Sequence, residues 1–193
     1  DYDLNNDGQV DLIYVIYAGY MQNMDGPNEA IWAKASYTNK NVGTKTVRRY
    51  CMSGEKINES YPDRIASIGV TCHEFSHCLG LPDLYVTTSY PQYYADNQEM
   101  EMWDLMDGGE NINMGYRPCA YTAWEKEAMG WTVNIETLTA SHDSGDITTA
   151  TTSNGTVYRI VNPADANEYI MLDRIAPESW NRGICQYAGY RDE

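Results

Sequence analysis

His73-Glu74-Phe75-Ser76-His77 places two histidines four positions apart, with a glutamate directly after the first. In an α-helix, residues four apart lie on one face, so both imidazoles can reach one zinc ion at about 2.0–2.1 Å. Glu74 stands beside the first ligand, where a carboxylate can accept a proton from water activated by the metal. Only three histidines occur in the 193 residues, and two of them belong to this motif. The pattern predicts a zinc-dependent peptidase with His73 and His77 as ligands and Glu74 as the general base.

The residues after His77 indicate where a third zinc ligand comes from. Catalytic zinc sites use three protein ligands and leave one position open for water. Gly80 allows the backbone to leave the helix with a positive φ and turn back, which brings Asp83 toward the metal. A histidine in the position of Asp83 would complete the metzincin pattern HExxHxxGxxH. Asp83 is therefore the predicted third ligand, and Glu99 or Glu101 on a separate segment is the gluzincin-type alternative.

A glycine-rich stretch downstream of the motif, residues 103–109 (WDLMDGG), is expected to form a tight turn. Metzincins place a methionine turn beneath the metal, where the thioether provides a polarisable apolar floor and is not a ligand. Met106 is the predicted methionine of this turn. The alternative interpretation is a glycine-rich turn with Met106 in the hydrophobic core. It differs little from a methionine turn, since both predict a buried Met106 that does not bind the metal.

The local pattern predicts that the motif lies on a helix that begins near Pro62 and ends at Gly80. Proline is favoured in the first helical turn, and glycine is favoured just beyond the last. Apolar residues spaced by three and four give this helix an amphipathic stripe, made up of Ile65, Ile68, Cys72, Phe75 and Leu79. A second helix is expected over residues 121–129.

Runs of β-branched and apolar residues predict strands on both sides of the motif. The expected strands are residues 10–17, 31–33, 46–52, 132–138, 156–161 and 168–172. The predicted fold class is α/β (α+β): a metzincin-like domain with a mixed sheet, an active-site helix and a β-rich tail. We expect residues 1–131 to form the catalytic domain, truncated at its N-terminus, and residues 132–193 to form a β-rich C-terminal segment.

The N-terminal loop is a candidate calcium site. Its oxygen-bearing side chains match the first nine positions of an EF-hand loop, with Gly8 at the sixth position, but Tyr14 replaces the glutamate of the twelfth. An Asp/Asn turn before a strand is the alternative, since these residues favour turns in any case. The predicted ligands are Asp3, Asn5, Asp7, Gln9 and Asp11.

Composition limits the class of partner. The 28 acidic and 13 basic residues give a net charge of −15, which disfavours binding to nucleic acid or to anionic lipid. No apolar run is long enough for a transmembrane helix, so we expect no membrane insertion. The acidity and the abundance of Tyr, Asn, Asp and Thr favour a secreted protein. Because the chain begins without Met and ends abruptly, we expect it to be a piece of a longer precursor.

Residues 73–85 (HEFSHCLGLPDLY), followed by 103–106 (WDLM), resemble the immune inhibitor A family of secreted bacterial metallopeptidases. Residues 10–20 and 168–172 also resemble segments of that family. The resemblance implies a secreted zinc endopeptidase that is made with an inhibitory pro-segment and followed by further β-rich domains. Val86 departs from the pattern, because the family often has Asp after the Leu-Tyr pair, and any role of that carboxylate is missing here.

The expected function is hydrolysis of protein or peptide substrates by a zinc-activated water, with Glu74 as the base. The alternative is a catalytically inactive, metal-stabilised extracellular binding module built on a protease scaffold. Glu74 argues against this alternative, since a purely structural metal site has no need of a base.

Overall fold

The strands upstream of the motif form one mixed sheet in a computed structural model, which describes residues 2–87, 100–139 and 155–187, the last three by their backbone only. The central strand is β4 (Lys45–Lys56). Along one of its edges, β1 (Gln9–Val10) and β2 (Ile13–Tyr20) pair with it in parallel. On its other edge β3 (Lys34–Val42) pairs antiparallel.

The strand predictions upstream of the motif are confirmed for residues 10–17, which lie in β1 and β2 apart from a break at residues 11–12, and for residues 46–52. The strand predicted over residues 31–33 is wrong. This segment packs on the 3-10 turn Gln22–Met24: Ile31 forms an isolated bridge with Met21, and the Ala33 N–H donates to Asn23. β3 therefore begins only at Lys34.

The motif lies on helix α1 (Ile68–Cys78), as predicted, but this helix begins six residues later than expected from Pro62. The residues just before it are tied to the end of β4 instead. Ile65 bridges to Lys56, and the Ala66 N–H donates to the Glu55 carbonyl. These pairings hold the backbone extended, so the helix starts only after them.

The buried face of α1 differs from the predicted apolar stripe. Its buried positions are Gly69, Val70, His73, Glu74 and Ser76, whereas the expected stripe residues Ile65, Ile68, Phe75 and Leu79 are 77%, 43%, 37% and 38% exposed. Gly69 explains the choice of face, because a Cβ there would meet the Glu110 carbonyl at 1.9 Å. A segment downstream thus packs directly against the helix backbone.

α1 separates two clusters of buried apolar side chains. On the side of the sheet, Val70 packs with Met21 and Ala33. On the other side, Cys72 packs against a cluster formed by Leu105, Ile112, Cys119 and Ile184. The ligand-bearing helix is held between these clusters, which fixes the direction of its side chains.

The chain beyond α1 is a mixture of short elements. The segment that packs on α1 has two 3-10 stretches, Glu101–Trp103 and Gly108–Gly115. They are followed by helix α2 (Ala123–Ala128), which begins with a capping box formed by Thr122 and Glu125, and the expected second helix is confirmed. The remaining elements are β5 (Ile135–Thr137), β6 (Val157–Asn162), β7 (Asp165–Leu172), a 3-10 turn (Ser179–Asn181) and α3 (Arg182–Tyr187).

β5, β6 and β7 form a second sheet, with β5 parallel and β7 antiparallel to β6. The end of the described chain packs back on the segment before α2, where Asn181 accepts a hydrogen bond from the Ala120 N–H. The mixed α/β class expected from the sequence is confirmed. In the ranges that the structure describes, no helix has the length and apolar character needed to span a bilayer.

Candidate metal centre

Three of the residues predicted as zinc ligands come together at the end of α1. The Oδ1 atom of Asp83 lies 3.2 Å from Nε2 of His73 and 3.2 Å from Nε2 of His77. One ligand atom from each of the three side chains fits within 4.8 Å of the others. Within the described ranges, no other group of three His, Cys, Asp or Glu side chains is close enough to hold a metal ion.

Backbone carbonyls orient both histidine rings. Nδ1 of His73 lies 3.0 Å from the Leu105 carbonyl oxygen, and Nδ1 of His77 lies 2.8 Å from that of Leu81. Because a carbonyl oxygen can only accept, each Nδ1 carries the hydrogen of the neutral ring, and each Nε2 presents a lone pair. This arrangement is the one that metal-ligating histidines adopt.

The donor set fits a zinc ion. The buried Oδ1 of Asp83 has no hydrogen-bond partner among the described residues. Two nitrogen lone pairs and a carboxylate oxygen therefore point toward one another, and no hydrogen-bond donor lies between them. A cation at this position would bind all three atoms. Two imidazoles and one carboxylate form a known catalytic zinc set that leaves a fourth position open.

Gly80 brings Asp83 back to the helix. It has φ +105°, and the turn around it closes with two hydrogen bonds, from the Gly80 N–H to the His77 carbonyl and from the Leu81 N–H to the Ser76 carbonyl. This is a Schellman ending. The same turn presents the Leu81 carbonyl to His77, so one loop both supplies Asp83 and orients the neighbouring ring. Glu101 is not part of the cluster, and Glu99 lies outside the described residues.

The turn around Met106 holds the other side of the site. Met106 is fully buried, its N–H donates to Asp104 Oδ1 at 2.8 Å, and its carbonyl accepts the Leu84 N–H at 2.9 Å. Leu105 in the same turn presents its carbonyl to His73. The segment predicted as a methionine turn therefore contacts both a histidine ring and the loop that carries Asp83.

Glu74 is buried directly beside the cluster. Its carboxylate faces the backbone of Ala35 on β3, and the side chain stays close to both histidines. Burial raises the pKa of Glu74, and the nearby His73 and His77 offset only part of that effect. A carboxylate with a raised pKa is a stronger proton acceptor, which suits a general base.

The electrostatics of the cluster favour a positive charge between its members. Burial disfavours ionisation, but contact between Asp83 and the two rings outweighs it. As a result, the pKa of His73 rises to about 9, and the pKa of Asp83 lies well below its usual range. A metal ion between these side chains would compete with protons for the same lone pairs.

The sequence reasoning missed two residues that contact the ligands. Glu110 places Oε2 3.7 Å from Nδ1 of His73, and its carboxylate is mostly buried. Tyr85 stacks on the His73 ring, with centroids 6.4 Å apart, and its hydroxyl lies close to the Asp83 carboxylate. Glu110 lies on an irregular segment with no periodic signal. The only signal for Tyr85 is its position two residues after Asp83.

The predicted calcium ligands form a loop closed by its own hydrogen bonds. Asp3 is 1% exposed, accepts the N–H groups of Asp7 and Gly8 at 3.0 Å, and forms an ion pair with Lys45. Asp11 accepts the Leu4 N–H. Further side-chain hydrogen bonds in the loop join Asn5 to Asp7 and Asp7 to Gln9. The ammonium group of Lys45 stands where a cation would meet Asp3, and calcium binding stays a prediction.

Comparison with known proteins identifies the family. A sequence model of the immune inhibitor A peptidase M6 catalytic domain matches residues 1–133, a span that includes the whole metal cluster. The chain belongs to this family. The resemblance seen in the sequence is thereby confirmed, and the chain is a member of a metallopeptidase family.

The relatives of this M6 family member are much longer proteins. Pre-pro-metalloprotease PrtV of two Vibrio cholerae O1 strains is 36% identical over 64 residues, which cover 32% of this chain and 6% of the relative. Immune inhibitor A of Bacillus thuringiensis subsp. alesti is 27% identical over 150 residues, which cover 65% of this chain and 20% of the relative. The chain therefore spans a fifth or less of these relatives.

Proposed function

We propose that this chain is the catalytic part of a secreted, zinc-dependent endopeptidase that hydrolyses protein substrates. The observation that carries the proposal is the convergence of His73 Nε2, His77 Nε2 and Asp83 Oδ1, with each Nδ1 held by a backbone carbonyl. Membership in the M6 family supports peptidase chemistry. A relative named as a pre-pro-metalloprotease supports an extracellular location.

In this proposal His73, His77 and Asp83 hold the zinc, and the Leu105 and Leu81 carbonyls keep the rings in their ligating orientation. When bound, zinc supplies Lewis-acid chemistry that activates water and polarises a peptide carbonyl. Asp83 is preferred as the third ligand over Glu101, because its Oδ1 already faces both Nε2 atoms.

Glu74 acts as the general base. A carboxylate oxygen of Glu74 accepts the proton of the attacking water and then delivers it to the nitrogen of the leaving amine. The carboxylate lies next to the Ala35 backbone on β3, and burial keeps its basicity high. The position of Glu74 between β3 and the histidines supports this role.

The substrate is proposed to lie along β3. One edge of β3 pairs with β4, and within the described ranges no strand pairs with its other edge. An extended peptide can add to such an edge through backbone hydrogen bonds, as zinc peptidases of the metzincin type do. Because β3 contacts α1 next to Glu74, a peptide bound there would pass the metal ligands.

Metal analysis combined with casein hydrolysis tests the proposal on the 193-residue chain. Wild type is expected to bind one zinc and to cleave casein. Glu74→Gln should keep its zinc and lose activity by a factor of about 100 or more, since general-base catalysis contributes about 10²–10⁴-fold. Glu136→Gln on exposed β5 removes the same charge and should behave as wild type. Activity that survives in Glu74→Gln would overturn the mechanism, and a zinc-loaded but inactive wild type would favour the binding module instead.

A further inference from the structure

The β3–β4 hairpin, residues 34–56, is basic in a chain that is otherwise strongly acidic. It holds six of the 13 basic residues and only one of the 28 acidic residues, so its formal charge is +5 in a chain whose total is −15. The hairpin also forms one wall of the metal site, where the backbone of Ala35 lies next to Glu74. The positive charge is therefore concentrated beside the proposed cleft.

A cavity of about 410 Å³ lies between this hairpin and the end of α1. Two of the proposed metal ligands, His77 and Asp83, line it directly. Ser36, Tyr37 and Arg49 line it from the hairpin. The volume is enough for an amino-acid side chain, and the position next to the ligands places that side chain close to the bond to be cleaved.

Arg49 is held rigidly in the wall of this cavity. One of its N–H groups donates to the Cys78 carbonyl at 2.7 Å, and its guanidinium carbon lies 5.3 Å from the centre of the Tyr37 ring. These contacts position the guanidinium without neutralising its charge. In the part of the chain that the structure describes, Arg49 forms no ion pair with an Asp or Glu side chain.

The Arg49 guanidinium, fixed in place and still charged, can bind a carboxylate. It retains several N–H donors beyond the one used on Cys78, and its planar arrangement matches a carboxylate in bidentate fashion. Asp83 also lines the cavity, but its Oδ1 faces the two Nε2 atoms, where the proposed zinc would compensate its charge. The uncompensated charge in the cavity wall is that of Arg49.

We propose that the cavity is a substrate subsite that accepts an acidic side chain, Asp or Glu, through an ion pair with Arg49. This inference rests on the proposed function, because it assigns a side-chain preference to the same cleft. The acidic total charge of the protein does not oppose it, since charges more than about 8 Å away are largely screened at physiological salt.

Matched peptides that differ only by Glu or Gln at each position flanking the cleavage site test the preference. At one of these positions, wild type is expected to cleave the Glu peptide with a kcat/KM at least about tenfold higher than that of the Gln peptide. This factor is the scale of a charge-assisted hydrogen bond. Arg49→Gln keeps a donor for the Cys78 carbonyl but loses the charge, so the Glu/Gln ratio should fall to about one while the Gln peptide is still cleaved. Arg48→Gln removes the charge of the exposed neighbour on β4 and should keep the wild-type ratio.

A binding measurement separates the subsite from the chemistry. The zinc-loaded Glu74→Ala chain should bind the Glu peptide at least about tenfold more tightly than the Gln peptide, and adding Arg49→Gln should remove the difference. A wild type that cleaves and binds both peptides equally, or an Arg49→Gln chain that keeps the preference, would overturn the subsite. If wild type cleaves neither peptide while Glu74→Ala still discriminates between them, the subsite stands and the proposed function fails.

Discussion

The Nδ1 atom of His73 lies 3.0 Å from the carbonyl oxygen of Leu105, 32 positions further along the chain. This contact turns Nε2 of the ring toward Asp83, so the orientation of the first ligand depends on a turn outside the HExxH motif. Leu105 follows Asp104, whose Oδ1 accepts the Met106 N–H and stabilises the turn. The metal centre is thus assembled from α1, the loop after it and the turn around Met106.

The first prediction concerns the third ligand. Asp83→Ala should weaken zinc affinity by about tenfold or more, because it removes the oxygen that faces both Nε2 atoms. Competition with a chromophoric chelator measures the change, and the far-UV circular dichroism spectrum checks that the fold is kept.

Glu101→Ala is the matched variant for the gluzincin-type alternative. Glu101 is exposed and lies outside the cluster, so this variant should retain stoichiometric zinc with unchanged affinity. The assignment is wrong if Glu101→Ala empties the site while Asp83→Ala stays loaded.

The sequence predicted the parts of the site that depend on local geometry. The spacing of His73 and His77 follows from helical periodicity, and the return of Asp83 follows from the positive φ that Gly80 permits. The predictions that failed concern features that depend on contacts between residues distant in sequence. The start of α1 is set by the pairing of Ala66 with Glu55, and this pairing cannot be predicted from the residues next to the helix. The positions of Glu110 and Arg49 at the site likewise arise only from tertiary packing.

The second prediction concerns pH and the buried Glu125. Burial and the adjacent Asp104 carboxylate raise the pKa of Glu125 from 4.5 to about 8 in the folded chain. Between these values the folded state holds a proton that the unfolded state has lost. The stabilising contribution is therefore complete below about pH 4.5, and it is lost as the pH rises through about 8.

Glu125→Gln should remove this pH dependence. The amide keeps an oxygen for the Thr122 N–H, which Glu125 accepts at 2.6 Å, and it carries no charge at any pH. Its Tm should exceed that of wild type at pH 8.5 by several degrees, about 2–4 °C per kcal/mol, with little difference at pH 4.5. Glu136→Gln on exposed β5 should follow wild type throughout. An equal Tm difference at both pH values would contradict the assigned shift.

The third prediction concerns calcium at the N-terminal loop. If calcium binds Asp3, it must displace the ammonium group of Lys45, so Lys45→Met should lower Tm without calcium and enlarge the gain that calcium produces. Binding to the folded state alone adds about 2.7 kcal/mol at a hundredfold excess over Kd. Thermal unfolding with and without calcium, at constant zinc, measures this gain. Asp7→Ala should abolish this gain. If calcium leaves the Tm of wild type, Lys45→Met and Asp7→Ala unchanged, the loop is only a turn.

The last prediction compares the glycines that follow helices α1 and α2. Gly80 after α1 has φ +105° and Gly130 after α2 has φ +75°, and a Cβ at either position would meet nothing within 4 Å. Alanine at either position therefore strains only the backbone, and each variant should lose about 1–2 kcal/mol of unfolding free energy.

The two variants should differ in zinc affinity. A shift of the backbone at Gly80 moves both the Leu81 carbonyl, which orients His77, and the Asp83 carboxylate, so Gly80→Ala should weaken zinc binding by about tenfold or more. Gly130 is followed by Trp131, whose N–H donates to the Lys126 carbonyl, and none of these residues contributes to the cluster. Gly130→Ala should therefore lose stability at unchanged zinc affinity. Equal zinc affinities in the two variants, measured by chelator competition at a temperature where both are folded, would show that the turn at Gly80 does not position the ligands.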